Sequence, residues 1–299
     1  MAESQLQFSY YFDWHHCPDQ LLNSGFAQCR DLGIKKLVFV DKWIERLLQE
    51  PKFAAVLKLA AQSGNISFGD MHAPFGECFD LAAAGCERRN DMIKDHIRAL
   101  GYASDFGCRT YTIHIGAFDS VFFATPNDDI RKLVVDSLEK LIPYAEKYDI
   151  AIAVENAFER SNTPHEVMYY VNYFNHRLVG CCFDNGHANI MAATPGKDRN
   201  LYSSYMRNTV WGGEVELCDN AFELMAPRIF TCHLHDNNGY SDQHSVPGNG
   251  NVNWEELAEK LLNHAPQLIS LQTEAKVFAE GLSFSEIVKR YRKYFPVQA

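Results

Sequence analysis

The run His233-Leu234-His235-Asp236-Asn237, followed by Asp242-Gln243-His244 and then Gly248-Asn249-Gly250, crowds imidazoles and carboxylates into one short stretch. Such side chains are the usual ligands of zinc, manganese, iron and cobalt. They follow an apolar run, Arg228-Ile229-Phe230-Thr231-Cys232, that reads as a buried strand. Other strand-like runs end in the same way. They lead into His72, His114, Glu155, Asp184 (with His187 one helical turn later) and Glu274.

Glu155, Asp184, His233 and Glu274 offer three carboxylates and one imidazole from four successive strand ends. That set suits one divalent ion, manganese, magnesium, cobalt or zinc, with positions left for substrate oxygens. Such an ion polarises a carbonyl or hydroxyl and eases loss of a neighbouring proton. Glu155 and Glu274 are then the candidate catalytic pair, one removing the proton and the other returning it. His72, His114, His187, Asp242 and His244 exceed what one ion needs. They are candidates for further metal ligation, for orienting the ligands, or for contacts to sugar hydroxyls. Along the strand His235 shares the face of His233 and Asp236 does not, so His235 is also expected at the mouth of the site.

Bringing those strand ends together requires a closed parallel sheet. Eight β-like runs can be placed, at 6–12, 36–40, 66–72, 109–114, 150–155, 179–184, 228–234 and 268–274, with helical periodicity between most of them. Helices are expected over 86–106, 128–148 and from 254, the last after a turn in which Gly248 and Gly250 supply positive φ and Asn253 caps. A phosphate site at that helix start is only weakly signalled. The alternation predicts an α/β (β/α)8 TIM barrel, whose active site lies at the carboxyl ends of its strands. An open doubly wound sheet would need a nucleotide-type glycine motif after an early strand, and none is present. Three connections are long: 41–65, with at least one helix, 73–85, and 188–227, which reads either as a lid or as an elaborated surface helix pair. The aromatic stretch Tyr10 to Trp14 reads as either rim packing or a face for a sugar ring.

The chain has 299 residues, a net charge of −10 and nine cysteines. A single barrel needs about 250 residues, and no linker divides the sequence, so one domain over 1–299 is expected. The acidic balance, without a basic stripe, argues against a nucleic-acid partner. Odd cysteines without CxxC spacing read as free thiols in a reducing compartment. No secretory signal and no apolar run of transmembrane length are visible, so a cytoplasmic protein is expected.

Seven segments, in order, carry a family resemblance: Met71-His72-Ala73-Pro74-Phe75, Ile113-His114-Ile115-Gly116, Val154-Glu155-Asn156, Phe183-Asp184-Asn185-Gly186-His187-Ala188-Asn189, His233 to Asn237, Asp242-Gln243-His244 with Gly248-Asn249-Gly250, and Thr273-Glu274. The chain resembles the xylose isomerase-like TIM barrel superfamily, within it the sugar phosphate isomerase/epimerase type. That superfamily also contains endonuclease IV, hydroxypyruvate isomerases, inosose dehydratase and ketose 3-epimerases. The resemblance implies one catalytic metal on Glu155, Asp184, His233 and Glu274, proton movement by Glu155 and Glu274, and substrate contact by His187. It implies a small-molecule sugar or sugar phosphate as partner, and a homo-oligomer is compatible with it. In endonuclease IV a three-metal site uses positions like His72, His114, Glu155, Asp184, His187, His233, Asp242, His244 and Glu274, all present here. The expectation is therefore a divalent-metal-dependent sugar or sugar-phosphate isomerase/epimerase. An endonuclease IV-like phosphoester hydrolase and an inosose-type dehydratase are the alternatives.

Overall fold

The computed structural model describes residues 6–276 and 281–296. Eight parallel strands run in the order β1-β8-β7-β6-β5-β4-β3-β2. They are β1 (Gln7–Ser9), β2 (Lys36–Phe39), β3 (Ser67–His72), β4 (Thr110–Ile113), β5 (Ala151–Glu155), β6 (Val179–Asp184), β7 (Ile229–Leu234) and β8 (Ser270–Thr273). A parallel bridge between Tyr10 and Leu37 joins β1 to β2 and closes the ring. The result is a TIM barrel forming one domain, as the alternation of elements predicts.

The helices outside follow from apolar spacing. Asn127–Tyr148 buries Ile130, Val134, Leu138, Leu141 and Ala145, a stripe at intervals of three and four residues. Each such aliphatic side chain contributes about 1.5–3 kcal/mol on burial. Asp128 and Asp129 favour the first turn, and Asp149 at φ 52° ends the helix. Cys86–Asp105 and Trp254–His264 also fall where the periodicity puts them. The connection 41–65 holds two helices, Asp41–Gln49 and Phe53–Gly64, broken at Glu50-Pro51 because proline cannot continue a helix interior.

Two elements depart from the sequence reading. The first strand is short, and Phe12 and Trp14 turn inward instead. Phe12 meets Phe284 at 4.5 Å and Trp14 meets Phe26 at 5.1 Å between ring centroids. They pack in the core, so the sugar-face reading of these two rings fails. The insert at 188–227 is not a helix pair. The helix Asn185–Met191 gives way to a turn at Arg199–Leu201, a π-helical turn at Tyr205–Val210 and a short helix at Ala221–Met225. Ile190, Met191, Tyr202, Met206, Val210 and Val215 give it a small apolar cluster of its own.

The barrel interior is polar at one level. Asp70 of β3 accepts hydrogen bonds from Ser9 and Thr110, both at 2.5 Å, and from Ser270. Gln272 donates to Thr231 at 2.8 Å. Thr112, Thr231 and Gln272 lie two residues before His114, His233 and Glu274, so strand alternation sets this level directly beneath the strand-end side chains. Cys29, Cys108, Cys181, Cys182 and Cys232 are buried free thiols.

Candidate metal centre at the strand ends

Pairing between neighbouring strands brings the candidate residues to one rim. Glu155 ends β5, Asp184 ends β6 in register with His233 of β7, and Glu274 follows β8 with its N–H on Leu234 O at 3.0 Å. Donor atoms of Glu155, Asp184, His233 and Glu274 lie within 4.8 Å of one another. His233 Nδ1 sits 3.3 Å from Glu155 Oε1 and 3.3 Å from Glu274 Oε2. His72 and His114 join Glu155 in a second group. His187, Asp242 and His244 form a third group together with His235, which enters the mouth as alternation predicts. All nine candidate positions therefore meet in one place.

The local chain explains each placement. Asp184 caps the helix Asn185–Met191, its Oδ1 accepting the His187 N–H at 2.6 Å, and so fixes His187 one turn on. A Cβ on Gly186 would lie 1.9 Å from His235 Cε1, so only glycine leaves room for that ring. Asp236 points away from the mouth. Its carboxylate accepts the N–H groups of Asn237, Gly248 and Val252 and the Trp254 indole. Gly248 has φ 91°, as the turn requires, but Gly250 is there for close approach, since a Cβ would meet Asn237 O at 2.2 Å. Asn253 caps the following helix through the Glu256 N–H.

A set of asparagines extends the strand pairing upward. Asn156 donates to Asp184 O at 3.0 Å and accepts the Asp184 N–H at 2.9 Å. Asn185 makes the same pair with His235, at 2.9 and 3.0 Å. Each amide mimics a peptide group and holds the next strand end in register. No role was read for them from sequence, although an asparagine directly after Glu155, Asp184 and Asp236 was a visible repeat.

Two observations show that the residues fit a divalent cation. First, His72, His187 and His244 each set Nδ1 against a backbone carbonyl, of Ala73, Asn156 and Glu274, at 2.7, 2.9 and 2.9 Å. A carbonyl only accepts, so Nδ1 carries a proton in each and Nε2 is the nitrogen turned to the cluster, where at His244 it meets the Asp242 carboxylate at 2.9 Å. Second, His114 Nε2, Glu155 Oε2, His233 Nδ1, His235 Nδ1, Asp242 Oδ1 and Glu274 Oε2 are buried without a hydrogen-bond partner. Orphaned buried donors and acceptors are costly unless something satisfies them.

The electrostatics agree. Burial opposes charge on His187, yet the Asp184 and Asp242 carboxylates hold its pKa well above the ordinary histidine value. Burial also opposes charge on Glu155, and the His233 and His114 imidazoles hold its carboxyl well below the usual range. His244 is raised to about 9 against its burial, through the Asp242 carboxylate and Glu274. Burial, together with the His114 and His233 imidazoles, drives His72 down against the pull of Glu155 and Glu274. Excess carboxylate thus draws protons onto the imidazoles, the place a metal cation would take. The Cys182 thiol, beneath Asp184, is pushed up to about 12 by burial and stays neutral.

The cluster opens into a cleft of about 330 Å³. Phe75 stacks on His114, with centroids 4.9 Å apart, and Phe158 meets His187 edge-on at 5.4 Å. The 188–227 insert contributes Tyr205 to the wall, and the Trp211 indole donates to Phe158 O at 2.9 Å. Sequence reasoning missed Phe158 and Glu159 of this wall, because they lie on an irregular loop without periodicity, and it gave Phe75 no wall role although it quoted the Met71–Phe75 segment.

A parallel barrel with carboxylate and imidazole donors at its strand ends defines a class, and the chain belongs to the xylose isomerase-like TIM barrel family, whose match spans residues 26–292. An uncharacterized protein of Methanocaldococcus jannaschii is 27% identical over 227 residues, 74% of this chain and 69% of that one. The structure is similar to the 3-keto-D-glucoside 4-epimerase of E. coli (TM-score 0.67, 16% identity, 98% of both chains covered). It is also similar to an IolI protein solved with a zinc atom (TM-score 0.66, 16% identity, 96% of both chains covered). Several of the solved neighbours are sugar epimerases, and the likeness at this level of identity shows a shared fold. No helix among the described residues is long and apolar enough to cross a membrane.

Proposed function

We propose that the chain, acting as one domain over 1–299, is a divalent-metal-dependent isomerase or epimerase of a sugar or sugar phosphate. The observation that carries this reading is the placement of Glu155 and Glu274 on either side of His233 Nδ1, at 3.3 Å each, under an open cleft. Glu155, Asp184, His233 and Glu274 would hold the ion. When bound, it supplies polarisation of a hydroxy-carbonyl group.

The chain's own residues do the rest. One of the two glutamates accepts the proton from the carbon beside the carbonyl, and the other delivers one. Glu155 is held ionised by the neighbouring imidazoles despite its burial, so it is ready to accept. His187, fixed by Asn156 O and the Asp184 cap, presents Nε2 to a substrate hydroxyl. Phe75 and Phe158 line the cleft on the His114 and His187 sides.

Incubation with candidate ketoses and their phosphates in heavy water tests the reading. Deuterium is expected at the carbon next to the carbonyl, only with metal present. Turnover without exchange would point to hydride transfer between adjacent carbons and remove the proton-shuttle roles. A second reading, phosphoester hydrolysis, has one specific support, the third donor group His187, His235, Asp242 and His244. Three metal ions per chain on elemental analysis would favour it.

A further inference from the structure

The cleft wall is rich in carboxylates, set among the imidazoles of His72, His114, His187 and His244. Its carboxylates are Glu77, Asp80, Glu155, Glu159, Asp242 and Glu274, and no lysine or arginine is among the described residues that line it. Val277-Phe278-Ala279-Glu280, next in sequence, bring no cation either. Lys276 is exposed and outside the lining, its backbone N–H held by His244 O at 2.8 Å.

Two nearby guanidinium groups, of Arg88 and Arg160, are committed to the protein, and Arg207, two residues past Tyr205, is outside the lining. Arg88 is paired with Asp119 and lies 3.8 Å from Glu77. Arg160 donates to Asn127 Oδ1 at 2.9 Å, Ser120 O at 2.8 Å and Thr125 O at 2.5 Å.

Backbone amides could still cradle a phosphate, and the wall does contain converging N–H groups. They are already filled by a side chain. Asp80 Oδ2 accepts from Ala117 and Phe118, both at 3.1 Å, and Oδ1 accepts from Gly76 at 3.0 Å. The chain comes so close that a Cβ on Gly116 would lie 2.1 Å from Asp80 Cβ. This carboxylate occupies the place an anionic ligand would take.

We propose that the cleft binds an uncharged sugar and discriminates against its phosphate esters. The inference rests on the isomerase/epimerase reading and narrows its substrate class. A phosphate monoester carries about −1.5 to −2 charges at pH 7 and would enter a wall whose six carboxylates outnumber its four imidazoles, with no lysine or arginine among its lining residues. A single divalent ion would not reverse the balance, since three of its four candidate donors are carboxylates. The positive recognition is apolar and hydroxylic. Phe75, Phe118 and Phe158 offer aromatic faces to ring C–H groups. Glu159, raised in pKa by burial and held by the Asn162 amide at 3.0 Å, is placed to bond hydroxyls.

The test is calorimetric binding to the metal-loaded protein, which needs no turnover. The probes are paired: D-tagatose with its 6-phosphate, and D-ribulose with its 5-phosphate, with inorganic phosphate as competitor. In at least one pair the free ketose is expected to bind roughly tenfold or more tightly than its phosphate. Millimolar inorganic phosphate is expected not to displace it. A phosphate ester binding as tightly as the free sugar overturns this inference while leaving the isomerase reading in place. No binding by either member of any pair, with incision of abasic-site DNA, overturns both.

Discussion

The His244 ring lies flat on that of His235, with centroids 4.0 Å apart and planes 14° from parallel. His244 reaches this position from a left-handed backbone, φ 50°, and is held at both nitrogens by Glu274 O and the Asp242 carboxylate. A non-glycine residue in that region is strained by about 1–3 kcal/mol and persists only when its surroundings demand it. His244→Asn, which tolerates the backbone, is expected to fold nearly as stably as the parent, whereas His244→Ala loses about 1 kcal/mol more. Urea unfolding of the two variants reads the difference, and a lowered metal content in either would favour the three-metal reading.

Glu155→Gln and Glu274→Gln are each expected to lower turnover by about 10²–10⁴-fold. Both residues are also candidate ligands, so metal content must be measured on the same samples. Loss of turnover with full metal content supports the proton-moving role. Full turnover in either variant would rule out that role for the residue changed.

His96 gives a pH dependence of stability that is independent of the metal centre. It is buried between Tyr111 Oη and Phe79 O, each at 2.7 Å, and burial lowers its pKa to about 4 from an ordinary 6.5. The unfolded chain therefore takes up the proton first. The contribution of His96 is full above about pH 6.5 and is lost as pH falls through 4, a difference of about 3 kcal/mol at most. Urea midpoints at pH 7 and pH 4.5 should separate, and His96→Gln should flatten that dependence.

Asn185 is the clearest case of a residue that holds the site without touching substrate. Asn185→Ala leaves the buried N–H and C=O of His235 unpaired and should cost about 1–3 kcal/mol. Asn185→Asp keeps the acceptor and loses the donor, so it should fall between. Thermal denaturation orders the three proteins, and an Ala variant as stable as the parent would contradict the bridging role.

Undamaged duplex DNA is expected not to bind at physiological salt, because the chain is acidic and no lysine or arginine is among the described residues lining its cleft. A gel-shift titration checks this. Incision of abasic-site DNA that Glu274→Gln abolishes would promote the hydrolase reading.

The barrel was legible because six of the eight strand-like runs lead into a ligand-type residue, at His72, His114, Glu155, Asp184, His233 and Glu274. The helices at 127–148 and 86–105 were legible from their stripes. What stayed hidden depends on contacts between segments far apart in sequence. Nothing local in Asp80 shows that it will fill the amides of Ala117 and Phe118, and nothing in Gly186 shows that it will face His235. The rings of Phe12 and Trp14 were open to two readings because aromatic packing and sugar stacking use the same side chains. The insert at 188–227 follows no single period, so its short turns could not be told from a helix pair.

The polar level under the donors has a consequence for how the centre takes up charge. Thr112, Thr231 and Gln272 carry hydroxyl and amide dipoles on single bonds, and Asp70 anchors the hydroxyls of Ser9, Thr110 and Ser270 below them. Dipoles that can swing give the floor of the barrel a local permittivity above that of an aliphatic interior. When protons on the imidazoles are exchanged for a cation, or one cation for another of different radius, these groups can re-aim while the strands stand still. The barrel thus offers an internal solvent to its own rim, where Glu155, Asp184, His233 and Glu274 meet.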